Sequence, residues 1–467
     1  MVREHLFLLY LSIFFSVFLP GTAGKLYGWT SLFSGKEKPE KITIKCERSS
    51  HEYKKGETAR FYIDAADEDG KRVNGSRINI LISEDSGTRN MNVILEDRPV
   101  VVEVKQDIPG SCSVIASVVD EKGNVQEDSR ERKLECGSGA IFSAEDLSQG
   151  YSEPFDFGLY WTYQKARLFF TPKESQRKKV DLRKYDDGDL KKWADRVNAY
   201  DVKIRCAGPV PVTGYLAMPK KALPKSLPAV VIFNPYGVGP AEVPAGFGAE
   251  SISLNVNAHG LPNDRKKTYY KDLEKGKLKD YFFIGLEDRS ESYFVLMYIR
   301  ALQAVKYVKD LPEWNGKDLI VAGYSQGGAQ AMAAAGLDSD VTLCIVACPG
   351  LSDNGAVLKG RRSGFLMPHE KMKKNKDGDV ATEEGERILK ATSYIDIVNF
   401  AKRIKAEVYI SAGDADILCP SASVYTAYKN IPGKKKFIFM KNTGHAALNE
   451  EGFAALYRIF RKNKKGE

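Results

Sequence analysis

One short stretch of the sequence constrains the fold of this chain more than any other. Residues 318–322, Asp-Leu-Ile-Val-Ala, have the apolar character of a buried parallel strand, and residues 323–328, Gly-Tyr-Ser-Gln-Gly-Gly, follow directly. A helical segment of small residues begins at once. Glycines flank Ser325 because a tight strand-to-helix turn brings backbone segments too close for side chains, and this turn raises the serine hydroxyl above the sheet edge. The stretch predicts a nucleophile elbow.

Apolar runs that alternate with helical stretches predict an α/β domain over residues 150–465. Runs of five or six apolar residues are expected for strands of a parallel sheet that helices cover on both faces. The runs occupy residues 229–233, 251–256, 318–322, 342–347, 407–411 and 436–440, and helical stretches cover residues 292–309 and 329–335. The pattern is typical of a doubly wound sheet.

The preceding segment, residues 40–142, has the pattern of an all-β domain. Alternating runs such as 42–46 and 59–63 are separated by turn sequences, at a spacing that predicts an immunoglobulin-like sandwich. A Ser/Gly-rich stretch, residues 137–149, marks the change to the second domain. The segment shows no cluster of His, Asp or Glu suited to chemistry. We therefore expect an accessory domain, whose role in carbohydrate contact, spacing or oligomer packing stays open.

Residues 1–23 have the features of a cleaved secretory signal peptide. Arg3 precedes an apolar run over residues 6–19, and small residues follow as far as Ala23. A membrane anchor is the alternative, but the run is shorter than the roughly 20 residues that span a bilayer. We expect a secreted or periplasmic protein that is free of the membrane after cleavage. Disulfide pairing is then open to three residues: Cys46, Cys112 and Cys136.

Composition argues against a nucleic acid partner and against a structural zinc site. The formal net charge of +9 is a small excess of 70 Lys and Arg over 61 Asp and Glu, so a nucleic acid partner is not expected. Seven Cys without a Cys-x-x-Cys pair do not predict a structural zinc site. We expect neither a metal ion nor an organic cofactor.

A serine nucleophile needs an imidazole base and a carboxylate that orients the imidazole. His445 directly follows the last predicted strand, so its loop would deliver it over the sheet. Asp416 follows the strand before that, with Asp414 as a second candidate. The order Ser325, Asp416, His445 is the order of nucleophile, acid and base in the α/β-hydrolases.

The oxyanion formed in acyl transfer needs two preset N–H donors. The residue after the nucleophile supplies the first, which is Gln326 here. The second should follow an early strand, and the loop at residues 234–239 has glycines that let backbone approach a substrate. We predict the N–H of Tyr236 as this donor, with a plain glycine turn as the alternative.

Three motifs of the second domain carry a family resemblance. They are the elbow at residues 323–328, the segment Tyr-Ile-Asp-Ile-Val-Asn-Phe-Ala-Lys-Arg-Ile at 394–404, and Asp-Ile-Leu-Cys-Pro at 416–420. From about residue 154 to residue 460 the chain resembles the acetyl xylan esterase and cephalosporin-C deacetylase family of α/β-hydrolases. The resemblance implies a triad and an oxyanion hole formed by Ser325, Asp416, His445, Tyr236 and Gln326, and it favours Asp416 over Asp414.

Two positions depart from the family pattern. Asn-Ala-His at residues 257–259 stands where the family has Arg-Gly-Gln, and Ala446 stands where the family has Glu after the histidine. His259 is therefore a candidate for lining the substrate cleft, with loop packing as the alternative. The charge-rich residues 351–392 are expected to form an insertion over the site.

These observations together predict a secreted serine esterase that removes acetyl groups from acetylated carbohydrates, namely xylan or xylo-oligosaccharides. Homo-oligomerisation stays open. One alternative is a serine peptidase like prolyl oligopeptidase, although the 40–142 segment is too short for a propeller. The other alternative is a non-catalytic carbohydrate-binding protein on a hydrolase scaffold, against which the presence of all three triad residues argues.

Overall fold

The computed structural model describes residues 38–185, 188–364 and 382–465. The predicted signal peptide lies outside the described residues, as do residues 365–381 of the predicted insertion. Among the helices of the described ranges, none has the length and apolar character that would let it cross a bilayer.

The first part of the chain forms two antiparallel-rich sheets around one core. Buried and exposed residues alternate along its strands because successive side chains point to opposite faces. Residues from both sheets, including Ile44, Phe61, Ile80 and Val114, meet in a single apolar cluster. The sheets have the orders β1-β3-β6 and β2-β8-β7-β4-β5, with β1 Lys41–Cys46, β2 Glu52–Tyr53, β3 Thr58–Ala66, β4 Arg77–Glu84, β5 Gly87–Ile94, β6 Val100–Lys105, β7 Gly110–Val118 and β8 Glu135–Phe142. We call residues 41–142 the β-domain; its immunoglobulin-like topology stays a prediction.

The structure contains no disulfide among the described residues, which include all seven cysteines. Cys112 and Cys136 lie on neighbouring strands, but Cys112 stands opposite Ala140 and Cys136 opposite Ala116. This offset of four residues separates the two cysteines by about 13 Å along the strands, beyond the reach of a disulfide.

The second part of the chain is built on a nine-stranded mixed sheet, counted over the described residues, with the order β17-β16-β15-β14-β12-β13-β11-β10-β9. The strands from β12 to β17 run parallel. Their bounds are β12 Leu227–Phe233, β13 Ile252–Val256, β14 Trp314–Tyr324, β15 Leu343–Ala347, β16 Glu407–Gly413 and β17 Lys435–Met440. Each of these strands contains one of the apolar runs of the sequence, except that the runs at 251–256 and 342–347 begin one residue before their strands, and the predicted α/β class is confirmed.

The parallel strands predicted from the apolar runs form only part of the sheet. Three antiparallel strands extend the sheet on one side: β9 Ser175–Val180, β10 Val197–Ile204 and β11 Val212–Pro219. The edge strand β9 has the sequence Ser-Gln-Arg-Lys-Lys-Val and is almost fully exposed. A strand that faces solvent does not need an apolar run, so the run pattern did not reveal it.

Helices cover both faces of the large sheet. One face packs against helices that include Phe294 and Met332, and the other packs against a helix that carries Leu456 and Phe460. The helices are α1 Phe157–Phe169, α2 Gly188–Lys191, α3 Ala245–Gly248, α4 Lys267–Lys275, α5 Tyr293–Lys309, α6 Gln326–Leu337, α7 Glu383–Thr392, α8 Ile397–Ala401, α9 Ser421–Lys429 and α10 Glu450–Lys465. The loops after the carboxyl ends of the parallel strands therefore meet at one edge, where ligands of such sheets bind.

Candidate active site

Ser325 lies at the turn between strand β14 and helix α6. Its backbone has φ 54° and ψ −122°, a combination that non-glycine residues rarely adopt. A Cβ on Gly323 would lie 2.2 Å from the carbonyl oxygen of Gly327, and a Cβ on Gly327 would lie 2.1 Å from that of Phe233. The glycines are required because three backbone segments converge here. This is the geometry of a nucleophile elbow.

The structure places the side chains of Ser325, His445 and Asp416 in one hydrogen-bonded chain. His445 Nε2 lies 2.9 Å from Ser325 Oγ, and His445 Nδ1 lies 2.7 Å from Asp416 Oδ2. Because the carboxylate is an acceptor, Nδ1 carries the proton and Nε2 is left to accept the proton of the serine hydroxyl. The imidazole is thereby held in the tautomer that a general base for Ser325 requires.

Asp416 is fully buried, and its second oxygen is also satisfied. Asp416 Oδ1 accepts hydrogen bonds of 2.9 Å from the backbone N–H groups of Leu418 and Cys419. These two bonds fix the rotation of the carboxylate and point Oδ2 at His445. The acid is therefore oriented by its own loop before it contacts the imidazole.

Asp414, the second candidate for the acid, does not contact His445. One of its oxygens, Oδ1, accepts the N–H of Thr443 at 3.0 Å. The other, Oδ2, lies 2.7 Å from Nδ1 of His51, a residue of the β-domain. The two aspartates of the loop thus pair with two different histidines, and Asp416 is the one whose histidine contacts Ser325.

The loop that contains Tyr236 is tied to the elbow through aromatic side chains. The ring of Tyr236 stacks on that of Tyr281, with centroids 5.4 Å apart, and the Tyr281 hydroxyl donates to Gln326 Oε1. Burial raises the pKa of Tyr281 well above its usual value, so the hydroxyl keeps its proton. Gln326 is the first residue of α6, and its N–H has no carbonyl one turn earlier to bond. An anion beside Ser325 would meet this N–H and the positive end of the helix.

His259 lies beneath the same loop and is 4% exposed. Its Nε2 faces the carbonyl oxygen of Gly237 at 3.0 Å, and its Nδ1 lies 2.7 Å from the Tyr293 hydroxyl. Nε2 therefore donates and Nδ1 accepts. Burial, reinforced by the nearby Arg300, lowers the pKa of His259 to about 4. Both ring nitrogens are used within the protein, which favours loop packing over the predicted contact with substrate.

Two residues near the site were not predicted as part of it. Cys348 follows β15 and is fully buried. Its Sγ, an oxygen of Asp416 and a ring nitrogen of His445 all lie within 4.8 Å of one another. These three atoms could ligate a soft metal ion. Burial raises the pKa of the Cys348 thiol well above the usual value. Its position after a parallel strand could have marked it. His51 had no such signal, because it lies in the β-domain.

The α/β fold with Ser325 at its elbow, together with the family match that follows, identifies a carboxylic ester hydrolase. The chain belongs to the acetyl xylan esterase family: the model of that family, described as "Acetyl xylan esterase (AXE1)", matches residues 148–462. The β-domain lies before the matched region.

The chain is similar to a named protein and to two solved structures. The acetyl esterase Axe7A of Xylanibacter ruminicola is 31% identical over 325 residues, which cover 68% of this chain and 69% of that protein. The structure of an acetyl xylan esterase from Paenibacillus sp. R4 is similar with a TM-score of 0.56 and 26% identity, over 68% of this chain and 98% of that chain. Acetyl xylan esterase 1 from Thermoanaerobacterium sp. JW/SL YS485 has the same fold, with a TM-score of 0.56, 21% identity, and coverage of 68% and 97%.

Proposed function

We propose that this chain is a serine esterase that removes acetyl groups from acetylated carbohydrates by way of an acetyl-enzyme. The observation that carries the proposal is the hydrogen-bonded chain from Ser325 through His445 to Asp416, with contacts of 2.9 and 2.7 Å. Each contact has the donor and acceptor that nucleophilic catalysis by serine requires.

In the first half-reaction, Ser325 Oγ attacks the acetyl carbonyl carbon and His445 Nε2 takes the hydroxyl proton. Asp416 stabilises the imidazolium that forms, while the N–H groups of Tyr236 and Gln326 hold the negative oxygen. The bond from the carbonyl carbon to the sugar oxygen then breaks. His445 returns the proton to that oxygen, which leaves as a free sugar hydroxyl.

In the second half-reaction, water takes the place of the sugar hydroxyl. His445 removes a proton from water, and the resulting nucleophile attacks the acetyl-enzyme. The bond to Ser325 Oγ breaks, His445 returns the proton to the serine, and acetate departs. Every proton transfer in both halves uses one imidazole, so the reaction as proposed uses no metal ion or organic cofactor.

Acetylated xylan and xylo-oligosaccharides are the proposed substrates. The support is membership of the acetyl xylan esterase family and the name of the 31% identical relative, an acetyl esterase. Family membership does not favour a peptidase of the prolyl oligopeptidase type or a non-catalytic carbohydrate-binding protein.

We further propose that the protein works outside the cytoplasm, after removal of residues 1–23. The support is the apolar run that follows Arg3 and the small residues up to Ala23. Expression with the natural N-terminus, followed by N-terminal sequencing of the exported protein, should give a chain beginning at Gly24. A chain that stays in the cytoplasm and begins at Met1 would contradict this.

The esterase proposal is tested with purified protein and acetylated xylo-oligosaccharides. Wild type should release acetate, and Ser325→Ala should release none above the uncatalysed background. Ser226→Ala is a matched control, because the Ser226 hydroxyl bonds only the nearby Leu223 carbonyl among the described contacts, away from the elbow. A wild type that releases no acetate, or an active Ser325→Ala variant, would refute the proposal.

A further inference from the structure

The β-domain contacts the catalytic half of the chain at the loop that carries the acid. We call residues 414–419, which connect β16 to α9, the acid loop. His51 Nδ1 lies 2.7 Å from Asp414 Oδ2 and 3.0 Å from the carbonyl oxygen of Gly139. Both neighbours are acceptors, so Nδ1 carries a proton and donates to the acid loop. The side chains of His51 and Asp414 are 5% and 0% exposed, so solvent does not compete for this contact.

A second side chain of the β-domain holds the backbone of the same loop. The Ser113 hydroxyl lies 3.1 Å from the carbonyl oxygen of Asp414 and 3.4 Å from that of Asp416, and both are acceptors. Ser113 is buried in strand β7, whose neighbours on both sides fix its position. The hydroxyl has one proton, which these two carbonyls share, and the main chain of the acid loop is thereby hydrogen-bonded to the β-domain.

The two halves also pack without space for a side chain between them. A Cβ on Gly139 would lie 1.9 Å from the carbonyl oxygen of Asp414, and a Cβ on Gly137 would lie 2.8 Å from the Cβ of Ala415. Both glycines belong to strand β8, in the stretch whose composition had suggested a linker. The glycines allow β8 to lie directly against the acid loop.

Because a displacement of about 1 Å at a catalytic group can lower the rate 100-fold, the seating of this loop affects catalysis. We propose that His51 and Ser113 are positioning residues for the esterase reaction, which hold the acid loop so that Asp416 stays in register with His445. This inference rests on the proposed function. Under this proposal the β-domain helps to position the catalytic acid and is more than an accessory domain.

His51 is tested by two substitutions that differ in one property. The φ of His51 is 61°, a conformation that Gly and Asn both tolerate, but only Asn offers an N–H near the position of Nδ1. With p-nitrophenyl acetate, His51→Gly should lower kcat at least tenfold with KM within twofold of wild type. His51→Asn should recover most of the loss. Equal kcat for both variants and wild type would overturn the proposal.

Ser113 is tested against a serine with the same local chemistry elsewhere. Ser113→Ala removes the hydroxyl that contacts the acid loop and should lower kcat three- to tenfold. Ser76→Ala is the matched control, because the buried Ser76 hydroxyl donates to a carbonyl within the β-domain, that of Val73 at 2.7 Å. Ser76→Ala should keep the wild-type kcat. Equal losses in kcat for the two variants would indicate general destabilisation and overturn the proposal.

A double-mutant cycle separates positioning from stability. If His51 acts through Asp416, then His51→Gly should lower kcat little further in an Asp416→Asn background, where the acid is already lost. Losses in kcat that multiply would show that His51 acts independently of Asp416 and would overturn the inference. Suppose that wild type releases acetate, Ser325→Ala does not, and His51→Gly has the wild-type kcat. This result would refute the inference about His51 and leave the proposed function standing. An inactive wild type would refute the proposed function and this inference with it.

Discussion

The hydroxyl of Tyr281 donates a 2.5 Å hydrogen bond to the side-chain oxygen of Gln326, the residue that follows the nucleophile. Both residues are buried, and Tyr281 also stacks on Tyr236. A single phenol thus contacts both residues whose N–H groups are proposed to bind the oxyanion. The alignment of these two donors is therefore expected to depend on Tyr281.

Tyr281→Phe should lower kcat about tenfold, which corresponds to about 1.4 kcal/mol of lost transition-state stabilisation. The reason is that the buried Gln326 oxygen loses its partner and α6 can shift at its first residue. Tyr298→Phe is the control, since the Tyr298 hydroxyl donates at 3.0 Å to the Ile395 carbonyl. It should reduce stability without changing kcat. Steady-state kinetics and thermal unfolding of both variants distinguish the two effects; equal kcat values for them would speak against a role of Tyr281 at the oxyanion.

The two aspartates of the acid loop should differ sharply in their effect on the rate. Asp416→Asn should lower kcat by on the order of 10³- to 10⁴-fold, because an amide at this position favours the wrong tautomer of His445. Asp414→Asn keeps an acceptor oxygen for only one of His51 and Thr443, but this residue does not contact His445, so kcat should fall at most about tenfold. Acetate release over several hours measures both rates. A larger loss of kcat in Asp414→Asn than in Asp416→Asn would reverse the assignment of the acid.

Stability should fall with acid in a way that depends on His259. Burial lowers the pKa of this histidine from 6.5 to about 4. Between these values the unfolded chain binds a proton that the folded protein excludes, so the free energy of unfolding decreases as pH falls from 6.5 and levels off near 4. The contribution is about 3 kcal/mol.

Urea unfolding of wild type and His259→Gln at pH 7.5 and pH 4.5 measures this difference. The variant has no proton to bind at residue 259, so its stability should fall less between the two pH values. Parallel losses in wild type and variant would contradict the assignment of the pH effect to His259.

Thiol titration should find every cysteine reduced. The protein unfolded in guanidinium should react with Ellman's reagent at seven sites, because none of the seven cysteines is disulfide-bonded in the structure. The folded protein should react slowly, since six of the cysteines are buried and burial raises the pKa of the seventh, Cys136, to about 12. A count of five in the unfolded protein would reveal a disulfide.

The positions of the candidate site residues were accessible from sequence because local pattern and topology agree. Buried parallel strands are apolar throughout, and the residues that follow their carboxyl ends meet at one edge. Ser325, Asp416 and His445 each follow such a strand. The distances between these three side chains could only come from the structure. The same holds for the pairing of Asp414 with His51.

Other features had no local signal. Strand β9 faces solvent and carries polar residues, so no apolar run marks it. Strand β8 contains Gly137 and Gly139, whose composition suggests a linker, but the glycines are there because the acid loop lies against them. His51 and Asp414 are 363 residues apart and on different domains. Such contacts depend on how the surfaces of two folded domains pack together. The hydrophobic periodicity of the sequence does not contain this information.

The backbone conformation of Ser325 also affects the thermodynamic stability of the folded enzyme. Its φ of 54° and ψ of −122° are costly for any residue with a Cβ, by of order 1–3 kcal/mol, and Ser325→Ala keeps that cost. Ser325→Gly removes this cost, so its free energy of unfolding should exceed that of Ser325→Ala by about 1 kcal/mol, after allowing for the freer unfolded chain. Urea unfolding of the two variants measures the difference. Glycine at residue 325 is therefore expected to give a more stable protein that lacks the nucleophile. The difference in the free energy of unfolding between these two inactive variants measures how much folding stability the backbone conformation of the nucleophile costs.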